Sequence, residues 1–212
     1  MTQRSIVAVS AGLGQPSATR LLADRLVAAT ERSLRDTEPE RGIDAIVQVI
    51  ELRDHAQDLI NDLLTGFPGP PLRTAIDAVV HSDGLIAVSP IFNASYSGLF
   101  KLFFDVLERD GLAGKPVLIG ATGGTPRHSL ALDHAIRPMF AYLNALVMPT
   151  PVFAASDDWG QDAAPEDGAL IDRIERAGRE FAGAIASVGR TPPADPFADP
   201  VPFDQLLRSS SS

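Results

Sequence analysis

The chain has 212 residues, 45% of them hydrophobic, and carries a formal net charge of -9. That is enough apolar material for one sizeable core, while the acidic balance argues against a nucleic-acid binder, which needs a basic face. Cysteine is absent, which excludes disulfides and thiolate metal sites, and the four histidines (His55, His81, His128, His134) form no HxxxH or HxH pair suited to zinc.

In chain order, MTQRSIVAVS enters a strand (5–10) almost at once. It has no basic region followed by an apolar one, so no secretion signal is expected, and the absence of cysteine suits a reducing, cytoplasmic setting. SATRLLADRLVAATERSLRD (17–36) reads as a helix with Ser17 at its N-cap and Leu22, Leu26 and Ala29 on one face. IDAIVQVIEL (43–52) is a second strand, RDHAQDLINDLL (53–64) a helix, and TGFPGPP a loop by its Gly and Pro content. LRTAIDAVVHS is a third helix, GLIAVSP (84–90) a third strand, and SGLFKLFFDVLERD (97–110) a helix. KPVLIGATG (115–123) is the fourth strand, and SLALDHAIRPMFAYLNAL (129–146) a helix kinked at Pro138. VMPTPVFAA is a weaker fifth strand, and EDGALIDRIERAGREFAGAIASV the last helix. No apolar run approaches the roughly 20 residues that span a bilayer, so no membrane contact is expected.

Strands that are apolar throughout and alternate with helices call for a parallel sheet covered on both faces. Five such units predict an α/β, flavodoxin-like doubly wound fold: a five-stranded parallel sheet of order 2-1-3-4-5 with helices on both faces. A six-stranded Rossmann domain is the alternative, but SAGLGQPS is not G-x-G-x-x-G, and Glu51 is the nearest acidic residue for a ribose. The expected domain spans residues 1–189. The Pro- and Asp-rich stretch 190–212 reads as an arm whose Phe197, Val201, Phe203, Leu206 and Leu207 would pack on its own domain or a neighbouring subunit.

Ligands of open α/β sheets bind at the carboxyl ends of the strands. Three such ends carry unusual loops, at Ser10 to Thr19, SPIFNASYSG (89–98) and ATGGTPRHS (121–129), and the predicted strand order gathers them around one crevice. The first offers backbone N–H groups at a helix N-terminus with the hydroxyls of Ser10, Ser17 and Thr19. That suits a phosphate without a lysine, although Ser17 reads equally as a plain helix cap and Thr19 leans toward phosphate. In the second loop Pro90 fixes the backbone, the amides from Ile91 to Ser95 suit a flat ring edge, and Phe92 or Tyr96 would either stack on that ring or plug the core. In the third, Gly123 and Gly124 allow close approach of backbone to a ligand, and His128 follows.

Together these stretches resemble the NAD(P)H-dependent FMN reductases of the flavodoxin-like superfamily, and most closely the reductase components of two-component flavin monooxygenase systems. SPIFNASYSGLFKLFFDVL matches that family's P-x-Y-N-x-S-x-[SP]-G-x-x-K pattern at Pro90, Asn93, Ser95, Ser97, Gly98 and Lys101. ATGGTPRHSLALDHAIRPMFAYL is similar to the stretch after the fourth strand in that branch. Two departures stand out: residues 10–14, S-A-G-L-G, lack the arginine of the family's G-S-x-R, and Phe92 replaces its usual tyrosine. The resemblance implies FMN with its phosphate at Ser10, Ser17 and Thr19. The ring would be bordered by Pro90, Ile91, Phe92, Asn93 and Ser95, with Thr122, Gly123 and Gly124 at its other edge. NADPH or NADH would pass a hydride to FMN with no obligatory catalytic side chain, and His128 or Arg127 would meet the nicotinamide nucleotide. Loose, exchangeable FMN fits a homodimeric or tetrameric enzyme that supplies reduced flavin to a flavin-dependent monooxygenase, with FKLFFDVL (Phe100, Phe103, Phe104) in the subunit interface. An FMN-containing quinone, azo-dye or chromate reductase, and a non-enzymatic flavodoxin-like electron carrier, are the alternatives.

Overall fold

The computed structural model describes residues 2–37, 43–108, 110–159 and 168–187. β1 (Thr2–Ser10) leads through α1 (Ala18–Thr37) to β2 (Ile43–Glu51). A 3-10 turn (Leu52–His55), α2 (Ala56–Thr65) and α3 (Pro70–His81) bring the chain to β3 (Gly84–Phe92). A two-residue strand, β4 (Ser95–Tyr96), folds back on β3 before α4 (Gly98–Asp105), which ends earlier than the helix expected to run to residue 110. β5 (Pro116–Gly123) precedes a 3-10 turn (Pro126–His128), a π-helical turn (Leu132–Ile136) and α5 (Arg137–Tyr142). β6 (Leu146–Val147), β7 (Val152–Ala155), a 3-10 turn (Ser156–Trp159) and α6 (Gly168–Ser187) complete the described chain. The proposed domain boundary at 189 and the arm at 190–212 lie outside the described residues.

The sheet order is β2-β1-β3-β5-β6, with β7 also on β5 and β4 on β3. The flavodoxin-like order of positions is therefore the expected one, but the sheet has seven strands rather than five. One of the two extra strands comes from a split at the last position. β6 pairs with Pro116 and Val117, and β7 with Gly120 to Gly123. Between them Pro149 and Pro151 have no N–H to give to a ladder. The intervening Thr150 donates its N–H to Glu180 Oε2 (3.1 Å) and its hydroxyl to Glu180 Oε1 (2.8 Å) on α6. The other extra strand is β4, antiparallel to β3.

The expected continuous helix over 129–146 is also broken into turns. Pro138 cannot donate to the carbonyl four residues back. The turn before it widens, and the Arg137 N–H bonds the carbonyl of Leu132, five residues back.

Successive strand residues point to opposite faces, and the strands fill two cores accordingly. Val7, Val9, Leu85, Ala87, Val117, Ile119 and Ala121 pack with residues of α2 to α5. Ile6, Ala8, Ile86, Val88 and Leu118 pack with Leu22, Leu26, Ile174 and Phe181 of α1 and α6. At Gly178 a Cβ would lie 2.8 Å from the Ala29 carbonyl carbon and Cβ, so α1 and α6 touch backbone to backbone.

Phe100, Phe103 and Phe104, expected at a subunit interface, are buried instead. Phe104 sits 4.8 Å from both Phe100 and Phe140, ring centre to ring centre, and the cluster seals the core beneath α4 and α5. Large exposed apolar side chains lie elsewhere, at Leu63, Leu64 and Phe67 in and after α2 and at Tyr142. Among the described residues no helix is long and apolar enough to cross a membrane.

Candidate functional site

The carboxyl ends of β1, β3 and β5 are neighbours. Ser10 stands opposite Val88 across β1 and β3, and Pro90 opposite Thr122 across β3 and β5. The ladder runs one residue beyond β1, through Ala11 N–H to Val88 O at 3.0 Å. Ser10 is fully buried, and its Oγ has no hydrogen-bond partner among the described residues. A buried hydroxyl left unpaired costs about 1–3 kcal/mol, and its place at the end of β1 makes it a donor waiting for an acceptor.

The first loop closes tightly over this point. At Gly12 a Cβ would fall 2.0 Å from Ser17 Oγ and 3.1 Å from Thr19 Cβ, so only a hydrogen fits there. Ser17 Oγ accepts the N–H of Arg20 at 3.2 Å, which makes it the cap of α1. As an acceptor it keeps its own proton, so the capping and phosphate readings are compatible. Thr19 Oγ1 lies 2.8 Å from Thr122 Oγ1, both buried, tying the first loop to the third. Whichever of the two donates, one O–H remains for a further acceptor.

An arginine grips the outer side of the loop, and a second arginine shares its carboxylate partner. Arg53 Nη1 donates to the Gly14 carbonyl at 2.7 Å, and Arg53 Nη2 meets Glu51 Oε2 at 2.6 Å. Arg20 Nη1 meets Glu51 Oε1 at 2.8 Å and Arg20 Nε meets Asp24 Oδ1 at 2.8 Å. The hydrogen bond to Asp24 is the main influence holding the Arg20 pKa above its ordinary value. The charges of Asp24 and Glu51 add to it and burial opposes it, so Arg20 stays charged at every working pH. Glu51, weighed above as a ribose acid, is an ion-pair partner for these two arginines. The Arg53-to-loop contact has no local sequence signal, because Arg53 and Gly14 are 39 residues apart.

The second loop is a hairpin. Ile91 pairs with Tyr96 and Phe92 with Ser95. The intervening Asn93 (φ 50°) and Ala94 (φ 68°) are both left-handed, as a two-residue hairpin turn of the primed type requires. Asparagine tolerates this, whereas alanine pays about 1–2 kcal/mol. Phe92 is 48% exposed and does not plug the core, while Tyr96 packs on Phe100 with ring centres 5.9 Å apart. Pro90 is buried in β3, and Ser97 Oγ caps α4 by accepting the Phe100 N–H at 3.2 Å.

In the third loop the two glycines differ. At Gly123 a Cβ would lie 2.9 Å from Phe153 Cζ, so this glycine makes room for a core ring; at Gly124 it would meet nothing within 4 Å. His128 and Arg127 are exposed on the 3-10 turn. They line a pocket of about 350 Å³ with Ala94, Leu130, Ala131, His134 and Ala135, which joins the hairpin tip to the third loop. The sequence gives His134 no role beside His128, because the two are six residues apart and match no metal-ligand or catalytic spacing. Lys101, the last position of the motif, is ion-paired with Asp105 on the surface of α4.

The model of the NADPH-dependent FMN reductase family matches residues 4–160. The chain belongs to this family. It is 38% identical over 154 residues to FMN reductase (NADPH) of Pseudomonas aeruginosa, covering 73% of this chain and 78% of that one. It is 34% identical over 176 residues to the NADH-dependent FMN reductase SfnE of Pseudomonas putida, covering 83% and 89%. Among solved structures, an oxidoreductase from Corynebacterium diphtheriae superposes with a TM-score of 0.83 at 41% identity, covering 89% of this chain and all of that one. The residues present in this FMN reductase-family chain fit a flavin phosphate by their chemistry: the unpartnered Ser10 hydroxyl, the spare protons at Ser17 and at the Thr19–Thr122 pair, and the α1 N-terminus all offer donors in or beside the first loop.

Proposed function

We propose that the protein reduces FMN with NADPH or NADH. The observation that carries the reading is the buried, unpartnered Ser10 hydroxyl at the end of β1, enclosed by a loop with further spare hydroxyl protons. FMN supplies the hydride-accepting ring. The protein's part is to bind, orient and shield it. Ser10, Ser17, Thr19 and Thr122 give hydrogen bonds to the phosphate. Pro90, Ile91, Phe92, Asn93 and Ser95 border the ring, Gly123 and the open backbone at Gly124 face its other edge, and Ala94 sets the hairpin tip. Arg127 brings positive charge, with His128 and His134 beside it, to the pocket that takes the anionic nicotinamide nucleotide. Hydroxyls and amides hold FMN without a loop cation, which suits an exchangeable flavin delivered to a flavin-dependent monooxygenase. A homo-oligomeric state is part of the same proposal, with the exposed apolar side chains of α2 in place of the buried phenylalanines.

The test compares wild type with Ser10→Ala. Wild type oxidises NADPH or NADH in an FMN-dependent manner with no other acceptor. A yellow protein without nicotinamide oxidation would point to an electron carrier instead. Ser10→Ala raises the Kd for FMN about tenfold and leaves the apo-protein Tm unchanged or slightly higher, because an unpaired buried hydroxyl has been removed. A fall in Tm with unchanged FMN affinity would show that the hydroxyl serves the fold.

A further inference from the structure

We infer that Arg53, anchored by Glu51, is a positioning residue that holds the first loop in its phosphate-accepting shape from the end of the neighbouring strand. The inference rests on the FMN reading above. The segment from Ser10 to Thr19 contains no basic residue, and the whole chain carries a net charge of -9. The loop therefore depends on aimed N–H and O–H groups, and these act only if the backbone is held still.

Its two ends are fixed from within, by Ala11 N–H on Val88 O at the start and by the Ser17 cap at the finish. Gly14, midway between them, is held from outside by Arg53 at 2.7 Å. The register explains how this is possible. Ser10 stands opposite Glu51 on β2, so the 3-10 turn at Leu52–His55 starts beside the first loop and Arg53 reaches across to it.

The guanidinium has little freedom. Its side chain is 18% exposed, Glu51 holds Nη2 at 2.6 Å, and Asp54 lies 3.7 Å from Nε. That Nε is buried without a hydrogen-bond partner among the described residues, so the arginine is oriented for Glu51 and Gly14 with one donor left unpaired. Glu51 also holds Arg20 on the first turn of α1. One carboxylate thus fixes the loop midpoint and the helix start to each other. One planar guanidinium that meets a carboxylate with one nitrogen and a backbone carbonyl with the other is a geometry that lysine cannot reproduce.

Riboflavin separates this role from simple structural support, because it has the ring of FMN and no phosphate. Wild type, Arg53→Ala, Arg53→Lys and Glu51→Gln are compared for KM and kcat with each flavin, for Tm, and for affinity by flavin fluorescence. Arg53→Ala is expected to raise the KM and Kd for FMN about tenfold, with the riboflavin values and the FMN kcat unchanged. Glu51→Gln shifts FMN in the same direction. Arg53→Lys recovers part of the loss, since an ammonium can reach the Gly14 carbonyl but lacks the second, coplanar nitrogen that meets Glu51. Parallel rises for FMN and riboflavin, or no change for either, overturn the inference. If wild type binds FMN but oxidises no nicotinamide, the reductase reading fails and the fluorescence comparison still decides the role of Arg53. A wild type that binds FMN no better than riboflavin overturns the inference together with the phosphate role of the first loop, while the nicotinamide oxidation assay still decides the reductase activity.

Discussion

Gly12→Val is expected to weaken FMN binding by about a hundredfold or more while the fold survives. The space beside the Gly12 Cα is already filled, since an added Cβ would sit 2.0 Å from Ser17 Oγ and 3.1 Å from both Ser17 Cβ and Thr19 Cβ. A Cβ alone makes Ser17 swing away from the Arg20 N–H, and losing such a cap costs about 0.5–2 kcal/mol. The two methyl groups of valine press further, on Thr19, and pull its hydroxyl from Thr122. The helix start, two loop hydroxyls and the tie to β5 are disturbed together, and a hundredfold loss corresponds to about 2.7 kcal/mol of binding. Flavin fluorescence titration reads the Kd and thermal unfolding reads the fold. A near-normal Kd would remove the first loop from the phosphate site.

Gly178→Leu carries the largest expected effect on stability. The missing Cβ at this position faces the backbone of α1, 2.8 Å from the Ala29 carbonyl carbon and 3.0 Å from the Thr30 nitrogen. Backbone atoms cannot rotate away as a side chain can. α1 and α6 must separate, and the core of Leu22, Leu26, Ile174 and Phe181 between them and the sheet opens with them. Overpacking against movable neighbours costs about 1–3 kcal/mol. Here the cost is at the top of that range or above, which lowers Tm by about 10 °C for a domain of this size. Gly178→Ala gives a smaller loss in the same direction. A Tm within a degree or two of wild type for the leucine variant would mean that the two helices are not in backbone contact.

The parallel, doubly covered sheet was legible in the sequence because its cause is local. Each central strand is buried on both faces, so runs such as GLIAVS carry no polar alternation and signal a covered parallel sheet. The loops after β1 and β5 were legible for the same reason, since serine and glycine end those strands, whereas β3 runs on through Ser89 and Pro90 to Phe92. What the sequence hid is long-range or concerns how a visible residue is used. Phe100, Phe103 and Phe104 repeat with helical spacing, but Phe140, the ring that closes their cluster, comes from another helix. Gly123 reads from the sequence as a place where a ligand approaches the backbone, and what lies against it is Phe153. Pro138 was seen as a kink, but its missing donor reshapes the preceding turn, and that reshaping accompanies the meeting of His134 and His128 at one pocket. Thr19 and Thr122 are 103 residues apart, and no spacing rule connects them.

The split at the last position of the sheet also blunts that edge against strand-by-strand aggregation. The edge of a sheet is a row of unpaired amides and carbonyls on which a strand from another chain can be templated, the first step toward aggregation. Between Leu146–Val147 and Val152–Ala155 that row is silenced on the donor side: Pro149 and Pro151 have no amide proton, and the proton of Thr150 is held by Glu180. An incoming strand finds two short stubs instead of one continuous template. Glu180→Ala would uncover a single amide in this gap, and the two prolines on either side would still prevent a ladder from growing through it.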